Sequence, residues 1–293
     1  MKRFRLDGVK IKSPAKIEAM KRAGRLSAQA LEAVGLLVAP GVSTAELDAC
    51  AEQVIVDGGG RPAFKGYGGF PATICASVND MVVHGIPSRE VILREGDVIS
   101  IDTGAIVDGW VGDNAATFAV GAIDDERRAL LEACEASLEA GIVQAVPGNH
   151  LGDIGHAIQQ VAGLAGFGVV RNYAGHGIGR SMHEPPLVPN YGQVRTGMRL
   201  ERGMVIAIEP MLTAGTHEVR TIDDGWGVVT CDGRPAAHFE RTVAITDDGP
   251  LVLTPWNLVK IHWKPKTCCS SMFDYVCDDS KWERYVREQR GCN

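Results

Sequence analysis

Four acids and two histidines stand out by type and spacing. His176 and His183 lie seven residues apart in YAGHGIGRSMHEPP (173–186), a stretch too rich in glycine and proline for a helix or a long strand. Asp102 and Asp113 sit eleven apart in VISIDTGAIVDGWVGDNAATF, and Asp108-Gly109 between them is a tight-hairpin signal. Any even-length loop there sets both aspartates on one face, opposite or diagonal, whereas a three-residue loop sets them on opposite faces. Glu209 closes an apolar run (VIAIE), as Asp102 does (VISID). Glu240 lies in AAHFERTVAIT, where alternation puts His238, Glu240 and Thr242 on one face and Phe239 and Val243 on the other.

Taken singly, each acid has a plainer explanation: a strand-end cap, a partner arginine or a solvated edge strand. Two carboxylates on one face repel, however, and a divalent cation between them is the usual remedy. With His176 these residues make a candidate ligand set of Asp102, Asp113, His176, Glu209 and Glu240. Four negative charges match two divalent ions and leave a near-neutral site able to hold and activate a water. Mixed oxygen and nitrogen ligation suits manganese, iron, cobalt or zinc better than calcium or magnesium, without choosing among them.

An internal repeat indicates how these residues are positioned. At an offset of 107, residues 31–60 align with 138–167, sharing Leu-Glu-Ala at the start and Pro-Gly in the middle. The same offset aligns LREGDVISID (93–102) with LERGMVIAIE (200–209), and so Asp102 with Glu209. Two windows at one offset imply two related halves, about 13–122 and 123–250. Each half reads as two helices followed by strands. Ser13-Pro14 starts the first helix, Pro40-Gly41 stops it, and Ser43 with Glu46 has capping-box spacing for the second. In the second half, helices are predicted near 125–145 and 151–164, and strands across the chain near 98–106, 110–120, 204–209 and 238–246. Helices segregated from mostly antiparallel strands define an α+β class.

Composition narrows the function. With 45% hydrophobic and 23% charged residues the chain is a globular one. A net charge of −6 gives no general attraction to phosphate backbones or anionic lipid, so neither nucleic acid nor membrane is a predicted partner. No apolar run approaches bilayer length and the basic N-terminus lacks an apolar signal core, which reads as cytoplasmic. Cys50, Cys75, Cys134 and Cys231 read as reduced, buried small hydrophobes. Cys268, Cys269, Cys277 and Cys292 crowd the stretch 257–293 without the paired C-x2-C of structural zinc sites, so that stretch reads as a loosely ordered or partner-docking extension of a single catalytic domain, 1–256. His150, Asp153 and His156 read as solvated residues at a helix start.

Five ordered motifs carry a resemblance: HGIP (84–87), the Asp102 and Asp113 pair, GHGIGRSMHEPP (175–186), IEPM (208–211) and FERT (239–242). From about residue 10 to 256 the chain resembles type I methionine aminopeptidases. The resemblance implies a duplicated pita-bread (creatinase/aminopeptidase) fold, with two pseudo-twofold halves, antiparallel sheet and outer helices. It also implies a cytoplasmic, monomeric enzyme that removes the initiator methionine from nascent chains at the ribosome when the second residue is small.

Carried over residue by residue, Asp102 binds one metal, Asp113 and Glu240 bridge two, and His176 and Glu209 complete the second. Glu209 is also the general base turned general acid, His183 donates a hydrogen bond to the scissile carbonyl, and His84 contacts the scissile amide or helps release the amine. Tyr67, Phe70, Cys75, Met182 and Trp226 form the methionine pocket. Three departures from the family pattern carry their own expectations. Met182 softens the pocket wall, Asn114 alters what orients Asp113, and Arg241 replaces a frequent histidine. Two rivals are an X-Pro peptidase, which usually carries a sizeable N-terminal domain, and a catalytically dead binding protein, in which ligands are lost.

Overall fold

A computed structural model describes residues 8–256; the Cys-rich extension at 257–293 lies outside them. Four helices start and stop on local signals. Helix α1 (Pro14–Leu37) begins at Ser13-Pro14, with proline in the first turn where its missing N–H costs nothing. Helix α2 (Thr44–Asp57) carries the full capping box: Ser43 N–H donates to Glu46 Oε2 at 2.8 Å and Glu46 N–H to Ser43 Oγ at 3.3 Å. Helix α3 (Asp125–Val143) is capped by Asp124, and α4 (Leu151–Leu164) by His150 and Asp153.

The helices pack against a sheet that is nine-stranded among the described residues and antiparallel throughout. Its centre sets the hairpin Val98–Val107 and Trp110–Ala119 beside Glu240–Thr246 and Val205–Ile208. Asp108 and Gly109 have φ of 50° and 74°, the conformation of a two-residue type I′ turn. That loop fixes the register, pairing Gly104 with Asp113 and Asp102 with Ala115. The two aspartates therefore share a face, one diagonal apart. On the far side of Ala115 the partner is Glu240. Glu240–Thr246 in turn pairs Arg241 with Ile208, and one further step sets Glu209 across from Glu240. Asp102, Ala115, Glu240 and Glu209 thus form one row across four strands, with a small buried residue leaving room among the acids.

Two strands switch sheets at this row. The predicted strand 238–246 is in fact two: Ala236–His238 pairs with Met211–Thr213 in a three-stranded sheet, while Glu240–Thr246 belongs to the large one. Pro210 has no N–H to offer a ladder, and the Phe239 N–H turns to the Pro210 carbonyl at 3.3 Å. Both breaks aim their neighbouring side chains at a common centre. Behind it, α1 approaches without spacers: a Cβ on Gly112 would stand 2.4 Å from the Gly24 main-chain nitrogen. This seats the helix directly on the strand that carries Asp113.

Of the four cysteines in the described residues, all free, Cys75 and Cys134 are buried as predicted. Cys50 is half-buried and Cys231 exposed, because Cys231 falls in the turn after Val228–Thr230 rather than on a strand. Among the described residues no helix is long and apolar enough to cross a membrane.

Candidate metal centre and peptide site

The row of acids meets His176, from the short strand Gly175–Gly177, at the middle of the sheet. His176 Nε2 stands 3.7 Å from both Asp113 Oδ2 and Glu209 Oε1. Its Nδ1 lies 3.0 Å from the Gly177 carbonyl, so Nδ1 carries the proton and Nε2 keeps a free lone pair. Burial, with His183 adding to it, holds the ring's pKa down to about 4, so these approaches are between a neutral imidazole and carboxyls rather than ion pairs.

Ligand atoms of Asp113, His176 and Glu240 all lie within 4.8 Å of one another. Asp102 Oδ1, Asp113 Oδ1 and Glu240 Oε1 are buried with no hydrogen-bond partner. Buried carboxylate oxygens left unsatisfied are costly, and a cation is the partner that would satisfy several at once. Burial pushes Asp113 up to about 7, and burial with the neighbouring acids pushes Asp102, Glu209 and Glu240 well above the usual carboxylate range. The donor set fits a divalent metal: hard oxygens, one prepared imidazole, and mutual repulsion that a positive charge relieves.

Sequence reasoning missed several groups that hold these side chains. The Thr242 hydroxyl donates to the Asp113 carbonyl at 2.8 Å and accepts its N–H at 3.3 Å, gripping the strand at the ligand itself. The two substituted positions beside the ligands serve the sheet's other face. Asn114 Nδ2 donates to Ser27 Oγ and to the Thr103 carbonyl, tying the sheet to α1 rather than orienting the Asp113 carboxylate. Arg241 stacks on Trp256 at 3.4 Å and donates to the Thr254 carbonyl. Strand alternation explains both, since residues next to inward ligands must point outward.

His183 is exposed beside the centre, its ring 4.3 Å from that of His176. The Tyr67 hydroxyl lies 2.8 Å from its Nδ1, and with the phenol donating, the ring proton sits on Nε2, free to donate onward. His84 takes φ of 61°, a left-handed conformation uncommon outside glycine and concentrated at functional sites. Phe70, Cys75 and Trp226 pack together, Phe70 meeting the Trp226 ring edge-on at 5.2 Å. Met182 does not join them. It packs with Ala63, Trp110 and Ile178, and among the described residues Phe64 alone lies against both groups. Among the described residues, His150 and Asp153 cap a helix and belong to no candidate metal cluster.

The loop that carries His183 is clamped from the N-terminal segment. Glu184 pairs with Lys12 and Lys10, each at 3.0 Å, and the Lys12 and Glu184 side chains are only 4% and 2% exposed. Removing one partner of such a pair strands the other charge in the interior. Lys12→Met is therefore expected to cost about 3 kcal/mol in urea melts, the low end of the range because Lys10 remains. A loss under about 1 kcal/mol, the size of a surface pair, would show that Lys10 alone suffices.

An antiparallel sheet that gathers buried acids and a prepared imidazole beside His183 defines a metal-dependent hydrolase. The chain belongs to metallopeptidase family M24, matched over residues 18–247, and has the pita-bread fold. It is similar to the methionine aminopeptidase of Clostridium acetobutylicum, at 51% identity over 83% of this chain and 98% of that one. Methionine aminopeptidase 1 of Mycobacterium tuberculosis is also 51% identical, over 83% of this chain and 94% of its own. The crystal structure of the Thermotoga maritima methionine aminopeptidase matches with a TM-score of 0.83 at 43% identity, over 84% of this chain and 99% of that one. A prolidase from Pyrococcus furiosus shares the fold, with a TM-score of 0.68 at 23% identity over 84% of this chain and 66% of its own.

Proposed function

We propose that the protein is a methionyl aminopeptidase that removes the N-terminal methionine from nascent chains and peptides when the second residue is small. The single observation that carries this is the junction of four acids and His176 beside His183, in a chain half-identical to methionine aminopeptidases. Asp102, Asp113, His176, Glu209 and Glu240 would hold two divalent ions, whose charge matches the four carboxylates. When bound, such ions supply Lewis-acid activation of water and carbonyl.

The chain's own residues do the rest. Glu209 takes a proton from the attacking water and later passes it to the leaving amine. His183 donates from Nε2 to the scissile carbonyl as that oxygen gains charge, with Tyr67 holding the ring. His84 contacts the scissile amide. The methionine thioether lies against Phe70, Cys75 and Trp226, where sulfur–aromatic contacts favour it, with Tyr67 at the rim and Met182 behind Phe64. We take 1–256 as one catalytic domain, acting as a cytoplasmic monomer on chains emerging from the ribosome.

The test loads the purified protein with manganese or cobalt and offers Met-Ala-Ser, Met-Lys-Ser and Ala-Pro-Ala. Methionine release from the first peptide alone is the expected result. Equal release from the second removes the small-residue requirement, and cleavage of the third moves the protein to the X-Pro peptidases.

A further inference from the structure

His238 ends the strand Ala236–His238 with its ring buried against Glu209, on the side away from His176. Its Nε2 stands 3.7 Å from Glu209 Oε2, and His176 Nε2 stands 3.7 Å from Oε1, so the carboxyl is flanked by an imidazole at each oxygen. Neither nitrogen of His238 has a hydrogen-bond partner, although the residue is 1% exposed. A buried ring with two unsatisfied nitrogens is kept at a cost, and the acceptor facing one of them is the obvious reason.

The mount of this ring is rigid. The His238 N–H donates to Thr117 Oγ1 at 2.8 Å, the Thr117 hydroxyl donates to the His238 carbonyl at 2.9 Å, and Ser100 Oγ lies 2.9 Å from Thr117 Oγ1. Across the strand, His238 is in register with Met211, two residues beyond Glu209. Both backbone groups being held, only side-chain torsions are left to bring Nε2 and Oε2 together.

We propose that His238 is a positioning residue: with its proton on Nε2 it donates to Glu209 Oε2 and holds the carboxylate so that Oε1 faces His176 and Asp113. The ring acts through Glu209 and touches no substrate. A base pinned at one oxygen presents the other in one place, which matters because small displacements of a reacting group cost rate steeply. This inference rests on the reading of Glu209 as base and ligand.

Glutamine places its amide nitrogen near the position of Nε2, and asparagine places its own near Nδ1, so the two separate the donor's location from its polarity. For His238→Asn and His238→Leu, kcat on Met-Ala-Ser is expected to fall by about 10- to 100-fold with KM within about twofold, and Co²⁺ affinity measured by calorimetry on metal-depleted protein to weaken about tenfold. His238→Gln should recover both to within about threefold of the parent. Parental kcat and Co²⁺ affinity in the leucine variant would overturn the proposal. So would a glutamine variant as impaired as the asparagine one, a comparison that stands even if leucine fails to fold. If the parent binds Co²⁺ yet releases no methionine, the peptidase reading fails, while the order of Co²⁺ affinities still decides the His238 contact.

Discussion

Glu209→Gln should lower kcat on Met-Ala-Ser by about 10³-fold or more and leave the protein folded. The two halves of this outcome have separate causes. Glutamine keeps the shape of the side chain but cannot accept the water's proton or return it to the amine, and proton transfer by a positioned group is typically worth 10²- to 10⁴-fold. The main-chain hold on the residue is independent of the carboxyl, since Asn190 Nδ2 donates to the Glu209 carbonyl at 2.9 Å. A neutral amide also removes one of the acids that burial and Asp113 already keep from ionising. The melting temperature of the metal-depleted variant is therefore expected at or above that of the parent. Turnover within tenfold of the parent would take Glu209 out of the proton transfer.

The metal-depleted protein should lose stability as pH rises from about 6.5 to 8, and a divalent ion should reverse that loss. The sign follows from two opposed groups. The acids of the centre are held above the usual carboxylate range, with Asp113 pushed up to about 7. A raised folded pKa contributes stability below the unfolded value of about 4 and loses it as pH climbs through the folded value. The histidines run the other way. Burial holds His176 at about 4 and His238 at about 3, so their contribution grows with pH up to the unfolded value of about 6.5 and then stays constant. Below about 6.5 the histidines offset part of the loss from the acids, and above it only the acids continue to titrate. A bound ion takes the place of their protons, so stabilisation by metal should increase across the same window. At a hundredfold excess over Kd it amounts to about 2.7 kcal/mol, or roughly 4 to 5 °C in Tm for a chain of this size. A metal-free Tm that holds steady from pH 6.5 to 8, with no response to Mn²⁺, would remove the four acids as a common ion site.

Much of this is legible in the sequence, for reasons that are local. The Asp108-Gly109 turn admits few backbone conformations, and a two-residue loop then dictates which face each aspartate takes. Ser13-Pro14 and the Ser43 to Glu46 spacing mark helix starts through hydrogen bonds that span three residues. The alignment of Asp102 with Glu209 matches two acids that each follow an apolar run, and the register sets both in one row, although Asp102 lies within Val98–Val107 and Glu209 just past Val205–Ile208.

Other features depended on contacts that no short window contains. The run 238–246 alternates like one strand, yet it splits at Phe239, because the neighbour that breaks the ladder is Pro210, distant in the chain. The expectation that Asn114 alters what orients Asp113 does not foresee that its side chain reaches α1, since its direction is set by the strand and its partner by the helix lying behind. Met182 sits with Trp110 and Ile178 rather than with Cys75, for strand and loop packing choose a side chain's neighbours. Lys12 reaches Glu184 across 172 residues, and His238 reaches Glu209 only because two strands change sheets at the same point. By itself the sequence determined the residue types, the turn and cap geometry and the pairing of halves, all of which act over a few bonds or one repeat. The tertiary structure alone decided which buried groups face one another, because that depends on how strands far apart in the chain pair and on which atoms burial then leaves without water.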